Sequence, residues 1–262
     1  MLVLFAICFL LTFAYAILMM NYRKGWAKQP VFVTGDAMPS TFISIIIPAR
    51  NEADKIKQCL DSILSGSYPK ELYEIIVIDD HSIDNTPELV AGYSGVRLLK
   101  LADFVTDREA MVAFKKKALS VGIEHSKGAL IVTTDADCIV PVDWLKNIAA
   151  IYEQENPVMI IAPVAFTTNG SVVENFQAID FMTMQGITAA VHQRKMGNMS
   201  NGANLAFSKE AYDKVEGYKG IDHLASGDDF LLMMKLQNAY PGRISYLMSE
   251  DAIVRTAPQP DW

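Results

Sequence analysis

Three cysteines, Cys8, Cys59 and Cys138, are too few and too scattered for a disulfide framework or a zinc site. Basic residues are also in deficit. The 23 Lys and Arg are outnumbered by 30 Asp and Glu, and a net charge of −7 excludes a nucleic-acid surface, so no nucleic acid is expected as partner. No Gly-x-Gly-x-x-Gly follows a strand, and no Gly-x-x-x-x-Gly-Lys-Ser/Thr occurs anywhere, which removes dinucleotide and P-loop folds. Internal repeats and low-complexity tracts are absent. The four histidines, His81, His125, His192 and His223, share no metal-ligand spacing. Charge is moderate, at 20%, among plentiful Ile, Leu and Val, so disorder is excluded too.

What is present begins with a long apolar run. Met1 to Met20 is apolar at every position but Thr12, and as a helix it would span about 30 Å, the hydrocarbon thickness of a bilayer. Ala14-Tyr15-Ala16 resembles a signal-peptide cleavage site. However, no basic residue precedes the run, and Ile17-Leu18-Met19-Met20 continues it. Tyr22, Arg23, Lys24, Trp26 and Lys28 then place aromatic anchors and positive charge on the carboxyl flank. Such a flank is cytoplasmic. The expectation is a single-pass anchor over residues 1–21 in the inner or plasma membrane, a juxtamembrane linker over 22–40, and a cytoplasmic domain over 41–262. Three unpaired thiols fit a reducing compartment.

Within the domain, strands and helices alternate. Phe42 to Ile47 is a β-branched run stopped by Pro48, and Ile56, Leu60, Ile63 and Leu64 recur at helical spacing. Strands are then expected at Glu74–Ile78, Val96–Leu99, Ala129–Thr134 and Val158–Ala162. Helices are expected around Met111–His125 and Trp144–Tyr152. This rhythm predicts an α/β fold, a Rossmann-like, mainly parallel sheet sandwiched by helices. After residue 165 it changes to long helices, Glu174–Gln193 and Asp229–Tyr240, around a polar segment at Met196–Asn204. The domain therefore divides into a ligand-binding half at about 41–165 and a second half at about 166–262.

Ligands of open parallel sheets bind beyond the carboxyl ends of the strands. Those ends read Pro48-Ala49-Arg50-Asn51-Glu52, Asp79-Asp80 and Asp135-Ala136-Asp137. Each alone is an ordinary turn or cap; together they make one acidic rim. A phosphate could bind there only through a metal. The carboxylates of Asp135 and Asp137, two apart on an extended chain, point the same way and suit Mg²⁺, which takes one or two carboxylates plus substrate phosphates. Further on, Asp228-Asp229 opens a helix, where acidic residues also serve simply as caps. Cys138 reads as a packed thiol. Met182, Met184, Met196 and Met199 read as core, or as the border of an apolar passage.

In order and spacing, five of these segments resemble family 2 glycosyltransferases of the A-type fold. Ile45–Glu52 resembles their opening strand, Val77–Ser82 their second strand, and Asp135-Ala136-Asp137 their metal motif. Asn201-Gly202-Ala203-Asn204 is similar to their acceptor-side loop, and Ser226-Gly227-Asp228-Asp229 to the acidic pair that supplies their base. The likeness spans residues 43–257. It implies a membrane-anchored, inverting enzyme that moves a sugar from a nucleotide-diphosphate donor, by resemblance a UDP-sugar, to a lipid or polysaccharide hydroxyl.

By the same resemblance, Pro48, Arg50 and Glu52 would line the nucleoside, Asp80 would bond the base edge, and Asp135 would contact the ribose. Lys115 would lie near the donor, although Lys115-Lys116-Lys117 also reads as a solvated helix face. Asp137 would hold Mg²⁺ or Mn²⁺, Asp229 would be the general base, and Asn201, Gly202, Asn204 and Asp228 would face the acceptor. A neighbouring carboxylate, Asp228, should raise the pKa of Asp229. Relatives with more membrane helices carry Gln-x-x-Arg-Trp past the acidic pair. Here the chain reaches Pro258–Trp262 without one, so the domain is expected to be incomplete at its carboxyl end. Two alternatives remain. A sugar-phosphate nucleotidyltransferase would want a glycine-rich basic loop after the first strand. A non-catalytic scaffold in a polysaccharide synthesis or export complex would need neither Asp137 nor Asp229.

Overall fold

The computed structural model describes residues 1–35, 38–105, 113–192 and 199–258. Met111, Gln193 and Met196, and the final residues from Gln259, lie outside the described residues.

The amino-terminal helix α1 (Leu2–Lys28) does not stop at residue 21 but carries the aromatic and basic flank as well. No residue before Pro30 breaks a helix, and Gln29 takes the extended conformation (φ −66°, ψ 118°) that a following proline demands. At 27 residues it is long and apolar enough to cross a membrane. The segment after it is tied down rather than loose. Gln29 donates from Nε2 to the Tyr246 carbonyl (3.2 Å), the Phe32 amide to the Met248 carbonyl (2.8 Å), and Thr34 Oγ1 to Asn147 Oδ1 (2.6 Å).

The domain alternates β1 (Ile43–Ala49), α2 (Ile56–Leu64), β2 (Tyr73–Asp79), α3 (Thr86–Ala91), β3 (Val96–Lys100), α4 (Phe114–Glu124), β4 (Leu130–Thr133), α5 (Trp144–Glu155) and β5 (Met159–Ile161). These follow the sequence rhythm with two differences: the short α3 is not among the expected helices, and β1 runs through Pro48. On its β4 side the registered pairs end at Ile46–Thr133, so the proline lies past that ladder, where a missing N–H costs little.

The second half adds β6 (Val164–Phe166), α6 (Val172–His192), β7 (Leu205–Ser208), α7 (Lys209–Lys214), α8 (Asp228–Ala239), β8 (Ile244–Tyr246) and β9 (Val254–Thr256). The main sheet has the order β3-β2-β1-β4-β7-β5-β8. Only β7 runs against its neighbours, pairing antiparallel with both β4 and β5. The sheet is therefore mainly parallel, and a strand from the second half is wedged between two strands of the first. Strands β6 and β9 pair separately, and an isolated bridge joins Ile139 to Arg255 beside them.

Strand alternation divides the core between the two faces. Ile43, Ile45, Ile47, Ile75 and Val77 pack with α2, α3 and α5 through Ile56, Leu60, Val90, Trp144 and Ile148. On the other face Ile46, Ile76 and Ile78 meet α4 and α8 through Ala118, Val121, Leu232 and Leu236. Both faces being dry, the rim at the carboxyl ends of β1, β2 and β4 is where polar side chains gather.

Candidate active site

A cleft of about 330 Å³ opens on that rim, lined by Pro48, Ala49, Arg50, Glu52, Asp80, Lys115, Ala118, Asp135, Ala136 and Asp137. Every residue expected around a nucleotide donor, and the expected metal ligand, therefore borders one space. Arg50 approaches Asp80 (Nη1 to Oδ2, 3.7 Å), with its guanidinium carbon 5.8 Å from the centroid of the Phe114 ring. Asp80 is also 2.9 Å from His81 Nδ1. The carboxyl group of Glu52 has a raised pKa, because it is buried and because Asp137 stands near.

Lys115 projects from the first turn of α4 and joins the two halves of the site. Its ammonium donates to Asp135 Oδ1 (2.8 Å) and lies 3.8 Å from Asp228 Oδ2. Burial pulls its pKa down, but Asp135 and then Asp228 more than offset this, so the lysine is held charged. Gly202 packs against the same group, and its amide donates to Asp229 Oδ2 (3.1 Å). Asp229 Oδ1 accepts from the Phe230 amide at 2.6 Å.

The pKa of Asp229 is raised. Burial is the largest cause and the charge on Asp228 acts in the same direction, while the hydrogen bonds from Phe230 and Gly202 partly oppose them. The neighbouring carboxylate thus raises this pKa as expected, but less than burial does. Gly227 opens α8 with φ +73°, a turn that suits glycine and puts both aspartates on the first turn.

Asn201 caps the turn that follows it, its Oδ1 accepting from the Ala203 amide at 3.0 Å. Asn204, expected beside the acceptor, is completely buried. Its Nδ2 donates to the carbonyls of Pro163 (2.7 Å) and Ala252 (2.8 Å), and its Oδ1 accepts from the Trp144 indole (2.9 Å). Its side chain is committed to holding the loops together beneath the site.

Among the described residues, no three His, Cys, Asp or Glu side chains converge on one metal position. A hard divalent ion sharing substrate phosphates needs only one or two carboxylates, however. Asp137 Oδ2 accepts from Thr256 Oγ1 (3.0 Å) and sits 3.7 Å from Lys55 Nζ. Its Oδ1 has only a weak thiol contact, Cys138 Sγ at 3.7 Å. A carboxylate oxygen with one weak thiol donor keeps a lone pair for a cation. The residues present therefore fit Mg²⁺ or Mn²⁺.

Three contributors were not legible in the sequence. Thr256 reaches Asp137 from 119 residues away because its neighbour Arg255 bridges Ile139, two residues past Asp137. Lys55 stands near Asp137 from the turn before α2. Lys116, only 1% exposed, donates from Nζ to the carbonyls of Leu224 and Ser226, both at 2.5 Å, just ahead of the acidic pair.

Comparison with known proteins gives concordant results. Residues 44–214 match the family described as glycosyl transferase family 2. The glycosyltransferase AglE of Haloferax volcanii is 28% identical over 190 residues, which cover 72% of this chain and 59% of that protein. The poly-beta-1,6-N-acetyl-D-glucosamine synthase of Staphylococcus epidermidis is 27% identical over 74% of this chain and 45% of its own length. The chain thus spans about half the length of these relatives, 59% of the first and 45% of the second. Among solved structures, the mannosyltransferase PcManGT of Pyrobaculum calidifontis, in complex with GDP-Man and Mn²⁺, superposes with a TM-score of 0.71. At 22% identity it covers 97% of this chain and 69% of that one, a likeness of fold.

Proposed function

The chain belongs to glycosyl transferase family 2, and on that premise we propose that it transfers a sugar from a nucleotide-diphosphate donor to a hydroxyl acceptor at a membrane. The observation that carries the reading is Lys115, whose ammonium ties Asp135, on the donor cleft, to Asp228, beside Asp229. A donor in the cleft would therefore present its leaving group within reach of a fixed positive charge, with the acidic pair on the far side.

In this reading Pro48, Arg50, Glu52 and Asp80 hold the nucleoside and Asp135 the ribose, with uridine the favoured base. A divalent cation held by Asp137 would neutralise charge on the departing diphosphate; PcManGT was solved with Mn²⁺ and GDP-Man. The acceptor hydroxyl oxygen attacks the anomeric carbon as the bond to the diphosphate breaks. Asp229 takes the hydroxyl proton, a role its raised pKa suits. One displacement inverts the anomeric configuration, and no nucleophile of the protein is required. Asn201 and Gly202 border the acceptor side. The apolar α1 and its basic flank support a plasma-membrane anchor with the domain in the cytoplasm, and hence a lipid or growing polysaccharide as acceptor.

The test is a thermal-shift panel of nucleotide-diphosphate sugars on the detergent-solubilised chain, with Mn²⁺, Mg²⁺ or chelator. A donor at a hundred times its dissociation constant adds about 2.7 kcal/mol. A shift that needs both one donor and the metal, and disappears in Asp137→Ala, supports the reading and identifies the donor. A folded protein that shifts with none of them speaks for the scaffold instead.

A further inference from the structure

Strand β2 ends at Asp79, and over the next two residues the chain leaves the sheet. The Asp80 amide still donates to the Ala49 carbonyl (2.8 Å), so the backbone of Asp80 is held by β1. His81 then takes φ +56°, the left-handed region that glycine enters freely and a residue with a Cβ enters at a cost. Such a cost points to a task for the side chain. The ring shows one: its Nδ1 lies 2.9 Å from Asp80 Oδ1, and both side chains are shielded from water. A carboxylate only accepts, so the hydrogen of this bond is carried by Nδ1.

The imidazole is itself braced. It meets Phe114, the first residue of α4, edge to face, with ring centroids 6.2 Å apart and planes at 87°. Over the same phenyl ring stands the Arg50 guanidinium, at 5.8 Å, which is also 3.7 Å from the other oxygen of Asp80, Oδ2. Asp80, His81, Phe114 and Arg50 thus close a ring of contacts, and each carboxylate oxygen has one nitrogen beside it. The two nitrogens are not equivalent. Arg50 is half exposed and beyond hydrogen-bond distance, whereas the His81 contact is short and sheltered. Arg50 and Asp80 line the cleft, and His81 is not among the described residues that do. It acts from behind.

We propose that His81 is a positioning residue: it fixes the rotamer of the Asp80 carboxylate, so that the remaining lone pairs face the cleft and accept an N–H from the nucleobase. This rests on the donor reading of that cleft. A fixed acceptor discriminates among bases. Uracil and guanine carry a hydrogen on the ring nitrogen of the pairing edge. Cytosine and adenine leave that nitrogen bare, with a lone pair that a carboxylate repels. Loss of His81 should therefore cost selectivity, because a carboxylate free to turn no longer meets one edge better than another.

The test is calorimetric titration of the detergent-solubilised full chain with UDP, GDP, CDP and ADP in the presence of Mn²⁺. The wild type should favour UDP or GDP. His81→Gly relieves the backbone and should weaken the favoured diphosphate about tenfold, while CDP and ADP change little. His81→Gln keeps the bulk but carries its amide past the Nδ1 position, and should show the same selective loss. His81→Asn tolerates the left-handed backbone and puts an amide N–H where Nδ1 was, so it should restore most of the preference. An equal loss for all four diphosphates in His81→Gly and His81→Gln is a structural effect and overturns the proposal, as does no loss. A wild type that favours CDP or ADP overturns it too. If the wild type binds none of the four, the donor reading fails and this one with it; if Asp80→Asn loses the preference and His81→Gly keeps it, only the assignment of His81 fails.

Discussion

Lys116 places its ammonium 2.5 Å from the carbonyl oxygen of Ser226, two residues before the acidic pair that opens α8. A lysine 1% exposed and bonded to main-chain oxygens is an expensive way to hold a loop unless the position of that loop matters. Lys116→Met removes two hydrogen bonds from a buried ammonium to the Leu224 and Ser226 carbonyls and should lower unfolding free energy by about 1–3 kcal/mol. Urea denaturation, with exposed Lys117→Met as the near-neutral comparison, measures it.

Asp229→Asn should abolish transfer, by at least about a hundredfold if the group is the base, while donor-dependent thermal shifts persist. Wild-type turnover in this variant would remove the assignment.

The same substitution should stabilise the fold at neutral pH. The pKa of Asp229 is raised in the folded protein, chiefly by burial, so the protonated form is the one folding favours. Its contribution is fully present below the unfolded value of 3.8 and is lost as pH rises through the folded value. Asp229→Asn should therefore melt above wild type at pH 7, and the gap should close as pH falls below 3.8. Transfer by the wild type should fall off on the acid side at a pH above the ordinary aspartate value of 3.8.

Asn204→Ala breaks three buried hydrogen bonds, to Pro163, Ala252 and Trp144. A loss of about 3 kcal/mol or more is expected. Any effect on transfer should follow the loss of stability, which melting and turnover measured on the same preparation will separate.

Gly25→Leu sets a side chain against the Ala190 backbone. Overpacking of about 1–3 kcal/mol should lift α1 off α6, measurable as a lower melting temperature and faster proteolysis of the segment after Lys28.

The first half of the domain was legible because a buried parallel strand is an unmistakable β-branched run, and because the ends of such strands point at one rim. Hence Asp80, Asp135 and Asp137 could be assigned to one cleft from their order alone. The second half hid its sheet partners. Leu205–Ser208 carries no β-branched residue to mark a strand; its pairing is set by β4 and β5, not by its own pattern. Lysines 115 to 117 read alike in sequence, yet helical steps send the first into the cleft, bury the second and leave the third in water. Thr256 has no signal near Asp137 at all.

The reversed strand β7 has a consequence for how the chain is made. On the ribosome β4 and β5 emerge more than forty residues before the strand that separates them. Until Leu205–Ser208 arrives, both present open edges, the kind of surface that recruits a neighbouring chain. If α1 enters a membrane, as its length and apolar character allow, it would do so earliest of all and hold each nascent chain apart from the next while those edges wait.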